Sequence, residues 1–335
     1  VKDLLKTLMI GAGGISRHHC AALSKIEGVA LDGVYDIDRP SADRLAAEFG
    51  TRAVDDLEAA IRGVDMVHLL TPPSVRVPYA TLAMKHGKHI FAEKPVAMSL
   101  ADALAMEKLA RETNIKYMVG FTQRFRKGYQ MMKDTLLSGA LGDPVQFICV
   151  RIGPGPGFDG NLSASWRTNP DLVCGMSIES LSHDIDFITS LLGPVSDVQA
   201  AVTGTIPALP AFDNNIASVL RLGGGSFATI AASWGSAVAY NCKTLVGTKG
   251  TLTLFGDAIW DFATAKAAFV DGTQWQQPID DIFLDGKAYL AENEYFVSCV
   301  REDRKPECDA KAGREALKVS LAMLSSSREK RLVAL

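Results

Sequence analysis

An apolar run, Leu8-Met9-Ile10, ends in Gly11-Ala12-Gly13-Gly14-Ile15-Ser16, and a helix-period segment from Arg17 to Ile26 follows. This passage from strand to helix through glycine constrains the chain more than any other stretch. Gly11 stands where the backbone bends sharply out of a buried strand and a Cβ would clash. Gly13 lets the backbone approach a ligand closely. The opening turn of the helix presents unpaired N–H groups and the positive end of its dipole. An anion such as a pyrophosphate suits that arrangement. The pattern is of the G-x-G-x-x-G type, with Ser16 in the third small position as a mild departure. Alone it also fits a tight turn with no ligand. The next apolar run, Val29–Tyr35, ends in Asp36, 22 residues after Gly14. An acid roughly 20 residues on, at the end of the second strand, is where a dinucleotide's ribose hydroxyls are held. Gly11, Gly13, Gly14, Ile15, Ser16 and Asp36 are therefore candidate cofactor contacts.

Up to residue 122 apolar runs alternate with helix-period segments. Strands are expected at Thr7–Ile10, Val29–Tyr35, Met66–Leu70, His89–Ala92 and Lys116–Val119. Helices are expected at Arg17–Ile26, Ser41–Phe49, Asp55–Ile61, Pro78–His86 and Ser99–Glu112, the last with Ser99 and Asp102 as a capping pair. Such alternation builds a parallel sheet with helices on both faces, a Rossmann-type α/β domain. Ligands of these sheets sit at the carboxyl ends of the strands. There the sequence places Asp36 and Arg39, then Thr71-Pro72-Pro73, then Glu93-Lys94-Pro95, then Gln123 and Arg124. Past residue 122 the pattern changes. Pro144–Ile152, Val195–Thr205, Ile216–Leu222, Phe227–Ser233, Cys242–Val246 and Thr251–Phe255 follow one another with few helices between them. They imply a mostly antiparallel sheet in a second, α+β domain. The expected division is 1–122 and 123–335, as 335 residues exceed what one core usually serves. A last helical stretch at about 310–327 is expected to return toward the first domain.

A net charge of −3 without a long basic run argues against nucleic acid as a partner. No run of 18 apolar residues marks a membrane span, and no signal-peptide pattern is read at the start, so a cytoplasmic protein is expected. Cys20, Cys149, Cys174, Cys242, Cys299 and Cys308 are scattered without a C-x-x-C pair, which reads as reduced thiols. Arg17-His18-His19-Cys20 looks metal-like, but adjacent helical residues point about 100° apart and do not easily share an ion. No metal site is assigned.

The segment Gly87-Lys88-His89-Ile90-Phe91-Ala92-Glu93-Lys94-Pro95 resembles the signature of a known family, the glucose-fructose oxidoreductase, inositol dehydrogenase and rhizopine-catabolism (Gfo/Idh/MocA) oxidoreductases. Gly13-Gly14-Ile15-Ser16 and Gly139-Ala140-Leu141-Gly142 add to the resemblance, which covers nearly the whole chain. It implies that Lys94 reaches both the nicotinamide side of the site and the substrate hydroxyl, with a peptide bond before Pro95 that is often cis. It also implies an open-faced second-domain sheet and a homodimer or homotetramer.

Ile178–Leu192 reads as one amphipathic helix. Ile178, Leu181, Ile185, Ile188 and Leu192 form its buried stripe, and Glu179, His183 and Asp186 form a second, polar stripe bordering it. A histidine there is the natural general base for an alcohol, and a carboxylate one turn away can orient it. The same spacing fits a solvated face. The resemblance implies a catalytic trio of Lys94, His183 and Glu179, the family's usual residue at the last position being Asp. Trp166 and Arg167 precede this helix where the family often places a pocket tryptophan. Arg124, Trp166 and Arg167 join the trio as candidate substrate contacts, although a surface Trp-Arg stack is equally compatible. Met176 stands where glycines are common in the family. Specificity is expected in the loops Gly153–Arg167 and Thr205–Asn214. Asp36 argues for NAD, while nearby Arg39 leaves NADP open. The expected activity is hydride transfer between nicotinamide and a secondary hydroxyl of a sugar, sugar derivative or cyclitol. A closed redox cycle on tightly held NAD, for glycoside cleavage or sugar transfer, and a non-catalytic nucleotide sensor are the alternatives.

Overall fold

The computed structural model describes residues 4–158, 162, 165–169, 172–207 and 209–335. Parts of the two expected specificity loops, 159–161, 163–164 and 208, lie outside the described residues. The chain forms two compact units, one running to Thr122 with Gly286–Arg314 added, the other Gln123–Asp285 with Glu315–Leu335.

In the first unit, β1 (Leu5–Ile10), β2 (Val29–Tyr35), β3 (Met66–Leu69), β4 (His89–Glu93) and β5 (Tyr117–Gly120) form a sheet in the order β2-β1-β3-β4-β5. Every pairing is parallel. β3 and β5 are buried throughout, as both faces of such a sheet are covered. The helices are α1 (Gly14–Leu23), α2 (Arg39–Glu48), α3 (Leu57–Arg62), α4 (Arg76–Lys85) and α5 (Leu100–Glu112). Ser16, His19, Cys20 and Leu23 make the buried stripe of α1 at helical spacing. Ser99 caps α5 by accepting the Asp102 N–H at 3.1 Å. The strand order reverses direction between β1 and β3, which fixes the ligand crevice of a doubly wound sheet at their carboxyl ends.

In the second unit, α6 (Lys127–Leu137) leads into β6 (Pro144–Pro154), and α7 (Met176–Glu179) and α8 (Ser182–Leu192) follow. Next come β7 (Val195–Thr203), β8 (Asn215–Leu222), β9 (Phe227–Ser233), β10 (Gly235–Gly247), β11 (Gly250–Gly256), β12 (Phe262–Phe269) and β13 (Gln274–Asp281). The chain closes with α9 (Lys287–Arg301), α10 (Ala310–Glu329) and β14 (Val333–Ala334). The nine-stranded sheet runs β13-β12-β11-β10-β6-β9-β8-β7-β14. Its pairings are antiparallel except β6 with β9. The alternating burial of β8 leaves one face open.

Three features differ from the sequence expectation. Residues 286–314, assigned by sequence to the second domain, group with the first unit, so the final helix begins in one unit and continues in the other. β12, β13 and α9 carry no sequence signal strong enough to place them. Finally, Ile178–Leu192 is not one helix. The N–H groups of Ser180 and Leu181 both reach the Met176 carbonyl at 2.9 Å, a widened turn that separates α7 from α8. Arg151 on β6 donates to Ser180 Oγ at 2.9 Å and holds the break. Glu179, His183 and Asp186 are buried, so they form no solvated polar edge.

Among the described residues no helix is long and apolar enough to cross a membrane. All six cysteines are free thiols.

Candidate active site

The glycine turn is built as its sequence requires. Gly11 has φ +106°, and a Cβ there would lie 2.8 Å from the Leu70 carbonyl carbon and oxygen. Ser16 fills the third small position with a function of its own, its hydroxyl donating to the Gly11 carbonyl at 2.7 Å. Gly13 and Gly14 are exposed, with nothing within 4 Å of the Cβ each lacks. Gly13 caps α1 without any side-chain hydrogen bond, and Ile15 lies in the same first turn. Asp36 ties β2 to this turn. Its Oδ2 accepts the Ala12 N–H at 2.6 Å and its Oδ1 the Asp38 N–H at 2.8 Å. A carboxylate offers about four lone-pair directions, so acceptor capacity remains for a ribose diol. An open glycine pair, a helix start with no side-chain cap and this acid fit a dinucleotide. Gly13, Gly14, Ile15 and Ser16 would hold the pyrophosphate, and Asp36 the ribose. Arg39 is committed elsewhere, to Asp43 at 2.8 Å and to Asp55.

At the same sheet edge, Thr71 and Pro72 follow β3, and Glu93 ends β4 with Lys94 half-buried behind it. The Lys94–Pro95 bond is cis. Arg76, at the start of α4, is 1% exposed and organises these loops. Its guanidinium donates to the carbonyls of Thr71, Glu93 and Pro95. The sequence alone does not single it out, although an arginine opening the apolar segment Arg76-Val77-Pro78-Tyr79-Ala80 was the available signal. Replacing Arg76 with Leu should lower stability by about 3–5 kcal/mol, because two buried carbonyls and one part-buried one lose a charged donor at once. Chemical denaturation followed by circular dichroism checks this.

The second unit holds the other candidates. Glu179 takes Arg167 in a two-pronged ion pair, one arm 3.0 Å long and the other shorter. The Arg167 guanidinium also stacks on Trp166, 4.7 Å from the ring centre. Arg124 donates to both oxygens of Asp186, at 2.6 and 2.7 Å. Burial pushes the Asp186 carboxyl above its ordinary range and Arg124 opposes that. Gln123 is 2% exposed. His183 is buried on α8 next to Asp184, which is the centre of a cluster that no sequence motif announces. Arg151 of β6 pairs with Asp184 at 2.8 Å and Lys243 of β10 at 3.0 Å, and none of the three side chains is exposed. Lys243 also donates to Cys149 Sγ at 3.0 Å. Burial raises the Asp184 carboxyl, but the two cations outweigh it and hold the group below its ordinary value. The cluster fastens α8, and with it His183, to the sheet.

Residues 5–121 match the model of an oxidoreductase family with an NAD-binding Rossmann fold, and residues 129–253 match the Gfo/Idh/MocA C-terminal domain. The chain belongs to the Gfo/Idh/MocA oxidoreductase family. It is 30% identical over 310 residues to inositol 2-dehydrogenase 2 of Mycolicibacterium vanbaalenii, covering 89% of this chain and 85% of that one. Glucose-6-phosphate 3-dehydrogenase of Bacillus subtilis is 31% identical over 135 residues, a match spanning 40% of this chain and 39% of that one. The structure of a levoglucosan dehydrogenase with NADH and levoglucosan superposes with a TM-score of 0.90 over 99% of both chains, at 20% identity. The last likeness shows the shared fold. Family membership makes residues 5–121 an NAD-binding Rossmann domain.

Proposed function

We propose that this protein is an NAD-dependent dehydrogenase that oxidises a secondary hydroxyl of a sugar, sugar derivative or cyclitol, or reduces the matching carbonyl. The observation that carries this reading is the Glu93-Lys94-Pro95 turn. It is fixed at the carboxyl end of β4, on the sheet edge that holds the glycine turn, in a chain of an NAD-binding oxidoreductase family. Bound nicotinamide supplies the hydride acceptor, or the donor in reverse. The chain's own residues handle the proton and the charge. His183 takes the hydroxyl proton as general base and returns it in the reverse direction. The Lys94 ammonium favours the alkoxide that develops. Glu179 assists by holding Arg167, whose stacked guanidinium suits a hydroxylated or anionic substrate. A homodimer or homotetramer formed through the open sheet face completes the reading, and light scattering after gel filtration tests that part. The names of the sequence relatives, which include inositol and glucose-6-phosphate dehydrogenases, support the substrate class.

NAD is favoured over NADP because Asp36 repels a 2′-phosphate while Arg39 is held by two carboxylates. Asp36→Ala should weaken NAD binding by about 10- to 100-fold, the equivalent of losing charge-assisted hydrogen bonds to the ribose. Fluorescence titration with NADH and NADPH reads this directly. Unchanged NADH affinity would remove Asp36 from the cofactor site.

A further inference from the structure

Within the first unit, polar side chains shielded from water form one continuous hydrogen-bonded chain that ends at Lys94. The amide of Asn293 on α9 sets its direction. Asn293 Nδ2 donates to the Tyr289 carbonyl at 2.7 Å, which fixes which end of the amide is which. Its Oδ1 must then accept from His68 Nε2, 2.9 Å away, and His68 Nδ1 accepts the Thr7 hydroxyl at 2.8 Å. Its Nδ2 also donates to His19 Nδ1 at 3.0 Å. That leaves His19 Nε2–H to donate to Glu93 Oε1 at 3.3 Å. Glu93 Oε2 in turn accepts the backbone N–H of Lys94 at 3.1 Å. The donors and acceptors alternate consistently when both histidines are neutral. Burial agrees for His68, lowering its pKa to about 3.

Glu292, beside Asn293 on α9, stands next to this chain and is 0% exposed. Its Oε1 accepts the Thr122 hydroxyl at 3.2 Å, and its Oε2 is buried without a hydrogen-bond partner. Ligand-type atoms of His19, Glu93 and Glu292 lie within 4.8 Å of one another. Two carboxylates beside an imidazole whose Nδ1 accepts a hydrogen bond, all buried, leave one negative charge too many. The groups facing Glu292 are Glu93 from β4, His19 from α1 and Thr122 beyond β5. Asn293 and His68 stand one step further, and Arg76 reaches the backbone carbonyl of Glu93.

We propose that Glu292 is a positioning residue that keeps its proton at neutral pH, so that Glu93 remains the single negative charge of this core and holds the Lys94 turn through its backbone N–H. An ionised Glu292 would repel Glu93 and loosen the acceptor on which that N–H rests. Burial first, and the Glu93 charge second, push the Glu292 carboxyl well above its ordinary range. A bound cation is the other way to neutralise the cluster. The proton is favoured because His19 Nε2 already directs its hydrogen at Glu93 and Glu292 Oε1 already accepts one from Thr122. The positioning role rests on Lys94 acting in turnover, whereas the retained proton does not.

The test compares wild type with Glu292→Gln and Glu292→Ala as full chains. Infrared spectra of the wild type at neutral pH should contain a protonated carboxylic acid band that Glu292→Gln lacks. The native state holds a proton that the unfolded chain releases, so wild-type stability should fall as pH rises above the ordinary glutamate range. The difference between wild type and Glu292→Gln should therefore move in favour of the variant from about pH 5 to pH 8. With a substrate in hand, Glu292→Ala should lose about 10- to 100-fold in kcat at little change in KM, and Glu292→Gln should restore it, as a neutral isostere can. Absence of the band, a pH-independent stability difference, or stoichiometric metal in the purified protein would overturn the proposal. If the band and the pH dependence appear while Lys94→Met has full activity, the proton stands and the dehydrogenase role of Lys94 fails.

Discussion

Lys94→Met should fold as the wild type does, bind NAD, and turn over about 10²–10³ times more slowly, the usual cost of removing one preorganised group that stabilises developing oxyanion charge. The fold is expected to survive because the turn is held by backbone contacts. Arg76 grips the Glu93 and Pro95 carbonyls, and Glu93 grips the Lys94 N–H. Methionine keeps an unbranched side chain one heavy atom shorter and removes the charge with its N–H donors. His183→Ala should cost about 10²–10⁴ in kcat, the range for a lost general base. Under the proposed mechanism, in which both residues serve one proton and one oxyanion, the two losses should not add fully in the double variant. Steady-state kinetics on variants with unchanged melting curves checks this. Near-normal turnover in both folded single variants would remove these residues from the chemistry.

Asp184→Asn should be the most damaging single change in the second unit. The carboxylate is paired with Arg151 and Lys243, and none of the three side chains is exposed. An amide there leaves two buried cations without their anion. Breaking a buried pair in this way costs about 3–5 kcal/mol, roughly 10 °C in Tm for a domain of this size. The pH dependence has a definite sign. The folded carboxyl is held below its ordinary value, so its stabilisation is complete above the ordinary aspartate range and is lost as pH falls through the lowered folded value. Asp184→Asn should therefore flatten the acid limb of the stability curve as well as lower its plateau. A normal melting curve for Asp184→Asn would show that the cluster does not anchor α8.

The first unit up to Thr122 was legible in the sequence because its signals are local. Each strand is an apolar run, each turn carries Gly, Pro or a capping residue, and Ser99 caps α5 as its spacing with Asp102 indicates. What escaped depends on partners distant in sequence. Ile178, Leu181, Ile185, Ile188 and Leu192 keep helical spacing across a break that Arg151 anchors from β6. α9 was hidden because its buried stripe includes Glu292 and Asn293, polar residues that a hydrophobic pattern counts as exposed. β12 is rich in alanine, and β13 is a largely exposed edge strand, so neither shows the β-branched alternation that marks a strand. By sequence Arg124 and Arg167 are candidate substrate contacts, with a Trp166–Arg167 stack equally compatible, and the stack is present. The structure gives both arginines carboxylate partners, Asp186 and Glu179.

The most direct measurement is the absorbance of reduced nicotinamide formed by the purified protein. It is run with NAD and NADP in parallel against inositols, aldoses, anhydrosugars and sugar acids. The expected result is NADH formation with a polyhydroxylated substrate and much slower NADPH formation. Tight cofactor binding with no net reduction on any member of the panel would contradict the dehydrogenase reading. It would favour instead a closed redox cycle or a nucleotide sensor.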